Sequence, residues 1–177
     1  MENSIPEMHS GQVHHHKMAA QLPPAHIAIV TVSDSRTHET DVNGLYLRQQ
    51  IDLNHLILTA YHLVHDESLE IKNVLETLSH TDANVILFNG GTGISHRDTT
   101  FDIVSAYFEK SISGFGEIFR MLSYQQIGAG AMLSRAAAGI YREKIIFLTP
   151  GSPAAVKLAW EKLILPELQH FIWEISR

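Results

Sequence analysis

Four short apolar runs punctuate the chain, and between them the apolar residues change period. The runs are HIAIVTVS (26–33), HLILTAYHLV (55–64), NVILF (84–88) and KIIFLT (144–149). Short, continuous and rich in β-branched residues, they read as buried strands. Elsewhere Ile71, Val74, Leu75 and Leu78 fall at i, i+3, i+4 and i+7, as do Val156, Ala159, Trp160 and Leu163, and again Leu168, Phe171, Ile172 and Ile175. Each set gives one helix an apolar face; a looser stripe precedes Ile51. Strands alternating with helices imply βαβ units, hence an α/β fold with a mostly parallel sheet covered on both faces. No repeat and no second linker interrupts residues 26–177, which read as one domain. Residues 1–25 are polar and without periodicity, and end in LPPA. They read as a flexible arm that stops where Pro23 and Pro24 stiffen the chain, its three consecutive histidines holding at most a stray metal ion.

Composition narrows the functional classes. A chain of 177 residues with 45% hydrophobic content suits one globular domain. Its net charge of −6 argues against nonspecific nucleic-acid binding, which needs a basic surface, but leaves room for a small anionic ligand held by local donors. The absence of cysteine excludes disulfides and thiolate metal sites and fits a reducing compartment, so a cytoplasmic location is expected. No apolar run reaches the roughly 18 residues of a membrane span, and no signal peptide is expected, so neither nucleic acid nor membrane is an expected partner.

Three of the strands run into unusual loops: TVSDSRT (31–37), NGGTGISHRDTT (89–100) and TPGSP (149–153). In a parallel sheet these loops leave the same edge, at the strand carboxyl ends, where open α/β sheets bind ligands. Gly90, Gly91 and Gly93 lack a Cβ, so an anion can approach the peptide N–H groups of Gly90, Gly91, Thr92 and Gly93. Arg97 has a fork geometry suited to phosphate. Asp98 or Thr99 opens the next helix, whose N-terminus favours negative charge. In the last loop, Pro150 and Gly151 lead to Ser152, a good N-cap, with Pro153 at the first helical position. Ser33, Asp34, Ser35 and Arg36 add hydroxyls, a carboxylate and a guanidinium. Together the loops point to a phosphorylated ligand. Each loop also has a purely structural reading as a turn and cap, though three at one edge make that reading less economical. Neither the P-loop nor the dinucleotide glycine pattern is present.

Asp98 and Asp66 are the candidate catalytic pair, because two carboxylates near phosphates can hold Mg²⁺. Asp66 has the alternative role of capping the helix that carries Ile71. His62 and His65, three apart in a strand, point to opposite faces and do not make a zinc site. Further on, Glu117 and Arg120 suit a helix-surface ion pair, and Ser134 opens a small-residue turn with Arg135 facing an anion. Asn43, Gly44 and Ser123 complete the candidate substrate-binding set.

TVSDSR, GGTGISHRDTT, GFGEIFRMLS, MLSRAAAG and TPGSP occur in this order, and with them the chain from about His26 onward resembles the MoaB/Mog family of molybdenum-cofactor biosynthesis proteins. The resemblance implies a three-layer α/β fold, a homotrimer or homohexamer, and binding of molybdopterin. It implies Mg-ATP-dependent adenylylation of molybdopterin with release of pyrophosphate, Asp66 and Asp98 standing at the catalytic positions. The glycine loop, SDSR, TPGSP and Ser134-Arg135 fall at the family's ligand loops. A non-catalytic molybdopterin or nucleotide carrier of the same pathway is the alternative reading; a sugar- or nucleotide-processing enzyme using the same loops is a more remote one.

Overall fold

The computed structural model describes residue 15 and residues 18–177, and the arm's remaining positions lie outside the described residues. The elements are β1 (His26–Val32), α1 (Val42–Leu53), β2 (Ile57–Val64), α2 (Ser68–Ser79), β3 (Val85–Asn89), α3 (Thr100–Ser105), β4 (Lys110–Ser111), α4 (Ser113–Ile127), a 3₁₀ segment (Gly128–Leu133), β5 (Ala137–Tyr141), β6 (Lys144–Thr149), α5 (Pro153–Ala159), a π-helical turn (Trp160–Ile164) and α6 (Leu165–Ser176). The six strands form one sheet in the order β2-β1-β3-β6-β5-β4. β2, β1, β3 and β6 are parallel, and β5 runs antiparallel to both neighbours.

The sheet divides the core in two by simple alternation. Ile27, Ile29, Val85, Leu87, Ile145 and Phe147 face α1, α4, α5 and α6, where Leu47, Phe119, Trp160 and Leu168 meet them. Ala28, Val30, Ile86, Phe88, Ile146 and Leu148 face the other way, onto Ile71, Val74, Leu75 and Leu78 of α2 and Val104 of α3. The result is the three-layer α/β arrangement. Ala19 and Ala25, which the sequence pattern placed in the arm, are both buried, and Ala25 packs in the core.

β4 and β5 carry no β-branched run. β5 is built of Ala137, Ala138 and Gly139, and its small side chains let Phe108 lie directly over Gly139, where any Cβ would meet the ring. The β5–β6 turn places Arg142 and Glu143 at φ 47° and 60°, a conformation usually given to glycine or asparagine. Arg142 is held there by bonds to Glu76 Oε1 at 2.7 Å and Ser79 Oγ at 3.0 Å.

The C-terminal helix departs from the predicted stripe. Ile164 is buried instead of Leu163, and Val156, Trp160, Ile164, Leu168 and Ile172 recur every fourth residue along the buried face. A pure α-helix would turn such a row steadily away from the sheet. The π turn corrects the phase, with the Leu165 N–H donating to Trp160 O, just before Pro166, which has no N–H to give.

Gly139→Ala should cost about 1–3 kcal/mol by overpacking against Phe108, seen as a lowered Tm. Gly114→Ala, where a Cβ meets nothing within 4 Å, should not lower it.

Candidate functional site

The chain order reverses between β1 and β3: β1 leads outward to β2, and β3 returns to the other side of β1. Such a switch point opens a crevice at the strand carboxyl ends. Here the ends are in register, with Thr31 beside Asn89 and Asn89 beside Thr149. The three polar loops therefore converge. A cavity of about 550 Å³ is lined by Ser33, Ser35, Arg36, the loop Gly90–Gly93, Asp98 and Pro150–Ser152, with Ser123, Ser134, Phe119, Gln126 and Leu158 closing its far wall.

The glycine loop has its shape for stated reasons. Gly90 and Gly91 have φ of 105° and 60°. A Cβ on Gly90 would strike the Val32 carbonyl, and one on Gly91 would lie 2.5 Å from Asp66 Oδ2. Asp98 Oδ2 accepts from the Ser95 N–H at 3.0 Å, so this aspartate closes its own loop instead of capping α3. Asp66 does not cap α2; Glu67 occupies that N-cap without a side-chain bond. Instead Asp66 Oδ1 reaches across to the Thr99 N–H at 3.1 Å and Thr99 Oγ1 at 2.9 Å, against the start of α3. Asp66 thus touches the glycine loop from behind, while Asp98 stands on the cavity wall. Ser152 N-caps α5 as expected, accepting from the Ala155 N–H at 3.3 Å.

The arginines sit differently from the expectation. Arg97 pairs with Asp34 at 2.7 Å, is 80% exposed and lies outside the cavity lining. Asp34 also accepts from the Asp66 N–H at 3.0 Å, so it ties the loops after β1, β2 and β3 together. Arg135, expected to face an anion, instead clamps the glycine loop: its Nε and Nη2 donate to the carbonyls of Thr92 and Asp98, and Nη1 to both oxygens of Asp102. Arg120 turns to the carbonyls of Ser134 and Ala136, not to Glu117. Arg36 does line the cavity, while donating to Asp41 at 3.2 Å and to Gly151 O at 3.1 Å.

Behind the cavity lies a polar knot that the sequence pattern did not reveal. Asn43 is 1% exposed; its Nδ2 donates to Asn89 Oδ1 and Gly151 O, each at 2.9 Å. Asn89 in turn donates to Val30 O and Thr31 Oγ1. Gly44 is small because Asp41 and Tyr61 crowd it. Asn43 and Gly44 thus support the loops from outside the lining. The one sequence signal for Asn89 was a polar residue closing an apolar run. Thr92 Oγ1, at the cavity, is buried with no hydrogen-bond partner among the described residues. A buried hydroxyl left so is unfavourable by about 1–3 kcal/mol, and a polar ligand relieves it.

Asp41 caps α1, accepting from the Asn43 N–H, and receives the Tyr61 hydroxyl at 2.7 Å. Burial by itself would raise its carboxyl. Hydrogen bonds from Thr31, Tyr61 and the Gly44 amide, with Arg36 alongside, outweigh that and hold it below the ordinary value, while burial and Asp41 push the Tyr61 phenol up. A carboxyl so depressed stabilises the fold fully above its unfolded value near pH ~3.9 and loses that contribution as pH falls through its folded value. Asp41→Asn should therefore lower Tm at neutral pH, and the gap from the parent should close on acidification below about pH 4, followed by thermal melts across pH.

Comparison with known proteins bears on this geometry. The family described as "probable molybdopterin binding domain" matches residues 28–170. Molybdenum cofactor biosynthesis protein B of Bacillus anthracis is 48% identical over 151 residues, covering 84% of this chain and 89% of that protein. Its Bacillus subtilis counterpart is 44% identical over the same shares. A crystal structure of molybdenum cofactor biosynthesis protein B superposes with TM-score 0.84 at 45% identity, over 88% of this chain and 98% of the other. The tungsten cofactor synthesizing protein MoaB from Pyrococcus furiosus gives 0.80 at 31%, over 88% and 99%. The chain belongs to the MoaB/Mog family of molybdenum-cofactor biosynthesis proteins.

Proposed function

We propose that this protein acts in molybdenum cofactor biosynthesis as a molybdopterin adenylyltransferase. In this reading an oxygen of the molybdopterin phosphate attacks the α-phosphorus of ATP, a new P–O bond forms, and the bond to pyrophosphate breaks. The single observation that carries the reading is the convergence of three phosphate-suited loops on one cavity whose wall holds Asp98. Such a transfer needs no serine, cysteine or lysine nucleophile, since the substrate supplies its own. The protein must align two polyanions and meet developing charge with fixed dipoles.

The residues are suited to those tasks. The loop Gly90–Gly93 offers peptide N–H groups to phosphate oxygens, as does the start of α5 after Ser152. Thr92 Oγ1 supplies a buried hydroxyl with no other partner among the described residues. Arg36 brings positive charge to the lining. For the metal, the donor set fits: Asp66 and Asp98 present carboxylates on either side of the glycine loop, Asp66 Oδ2 and Asp98 Oδ2 each standing where a Cβ of Gly91 or Gly93 would fall. Mg²⁺ takes one or two carboxylates beside substrate phosphates; held by Asp66 and Asp98, it would neutralise phosphate charge.

A homotrimer or homohexamer is part of the same proposal. Ile118, Met121, Tyr124 and Ile127 of α4 are exposed, together with Met132 and Leu133 of the following segment. So large an apolar face is suited to burial against other copies. Ile127 and Leu133 also line the cavity, so assembly would close its rim.

The direct test mixes protein, molybdopterin and Mg-ATP and follows pyrophosphate. Asp98→Asn keeps an acceptor for the Ser95 N–H, so Tm should hold while turnover falls about a hundredfold or more. Undiminished turnover would remove Asp98 from the mechanism. Molybdopterin binding without pyrophosphate from the parent would make the protein a carrier. In sedimentation, Met121→Glu should shift the protein towards monomer.

A further inference from the structure

Far from the cavity, the last helix carries a second cluster of metal-suited groups. Glu167, His170 and Glu174 lie at i, i+3 and i+7 of α6, and His15 comes against them from the N-terminal segment. One ligand atom from each of His15, His170 and Glu174 lies within 4.8 Å of the others. Glu174 Oε1 stands 3.3 Å from His15 Nδ1 and 3.5 Å from His170 Nε2. Tetrahedral zinc, with bonds near ~2.0–2.1 Å, sets its ligands about 3.3–3.5 Å apart. Two of the three edges already have that length, and the third is within reach of a small imidazole movement.

The surroundings are those of a supported site. Glu167 Oε2 lies 2.9 Å from His170 Nδ1. A carboxylate on one imidazole nitrogen fixes the tautomer and presents the other nitrogen as a ligand. Arg177 binds Glu174 Oε2 at 2.8 Å, which leaves Oε1 turned towards the histidines. The Trp173 ring packs beside His15 at 4.7 Å between centroids. The donor set is two imidazoles and one carboxylate, which selects a borderline transition-metal ion over Mg²⁺. No residue of the cluster lines the cavity.

We propose that His15, His170 and Glu174 form a Zn²⁺-type site that clips the N-terminal segment to the C-terminal helix. The site is independent of the chemistry assigned to the cavity. Only a short stretch separates His15 from Ala19 and Ala25, both buried, so the ion closes the two ends of the chain against each other.

Titration calorimetry of the full chain with Zn²⁺ tests this. One equivalent should bind. His170→Ala and Glu174→Gln should each weaken binding about a hundredfold, and Glu167→Gln about tenfold. Metal-free Tm of the variants confirms that they fold. The neighbours His14 and His16 are the control: the double variant His14→Ala/His16→Ala should bind as the parent does, and excess Mg²⁺ should not compete. Equal affinity in the parent and Glu174→Gln, loss of binding in the His14/His16 double variant, or no binding by the parent overturns the proposal.

Discussion

The site depends on one buried side chain more than on any loop residue that faces the cavity. Asn43 donates both hydrogens of its amide, one to Asn89 at the end of β3 and one to the Gly151 carbonyl after β6. Asn89 passes the connection on to β1. A carbonyl at a tight turn and an asparagine in a sheet interior would each be costly to bury alone. Because they satisfy each other, the three strand exits are held at one relative position. Asp41 adds a charged strut through Arg36 to the same Gly151 carbonyl. The cavity is therefore the mouth of a polar knot, and its dimensions are set by hydrogen bonds that no ligand touches.

This arrangement changes what the charged groups do. Arg135 and Arg97 look in sequence like anion receptors, yet their guanidinium groups are engaged with loop carbonyls or with carboxylates. They hold the backbone in the shape that exposes its amides. The division is physically sensible: peptide dipoles fixed by a rigid scaffold need no reorganisation when charge develops, whereas a long flexible side chain does. Asp34 plays a similar part, joining the Arg97 side chain to the Asp66 amide and so coupling three loops at the surface.

The parallel half of the sheet was legible in the chain because Ile, Val, Leu and Phe runs buried on both faces leave a strong signal. β6 occupies the predicted residues, and β1, β2 and β3 differ by one or two positions at their ends. The antiparallel half was silent. β5 is made of alanine and glycine to admit the Phe108 ring, and its turn uses arginine and glutamate at positive φ, stabilised by distant partners on α2. Helix α1 read weakly because its buried face includes Asn43 and Gly44, which serve the knot and the crowded Tyr61. The site loops were visible as glycine, serine and aspartate at strand ends. Which aspartate caps which helix was not, since Asp66 reaches the start of α3 and not its own helix. Tertiary proximity decided that, and a linear pattern does not carry it.

The π turn at Trp160–Ile164 has a consequence for how this chain tolerates change in length. The widened turn is what keeps Val156 and Trp160 on one side of it, and Ile164 and Leu168 on the other, pointed at the same sheet. Losing one codon inside it would tighten the backbone to an ordinary helix and swing everything downstream by about a quarter of a revolution. Trp173 and its neighbours would then rotate inward, while Leu168 and Ile172 rolled out to water. A gap of one residue in this stretch would amount to re-aiming the whole carboxyl-terminal third of the helical layer.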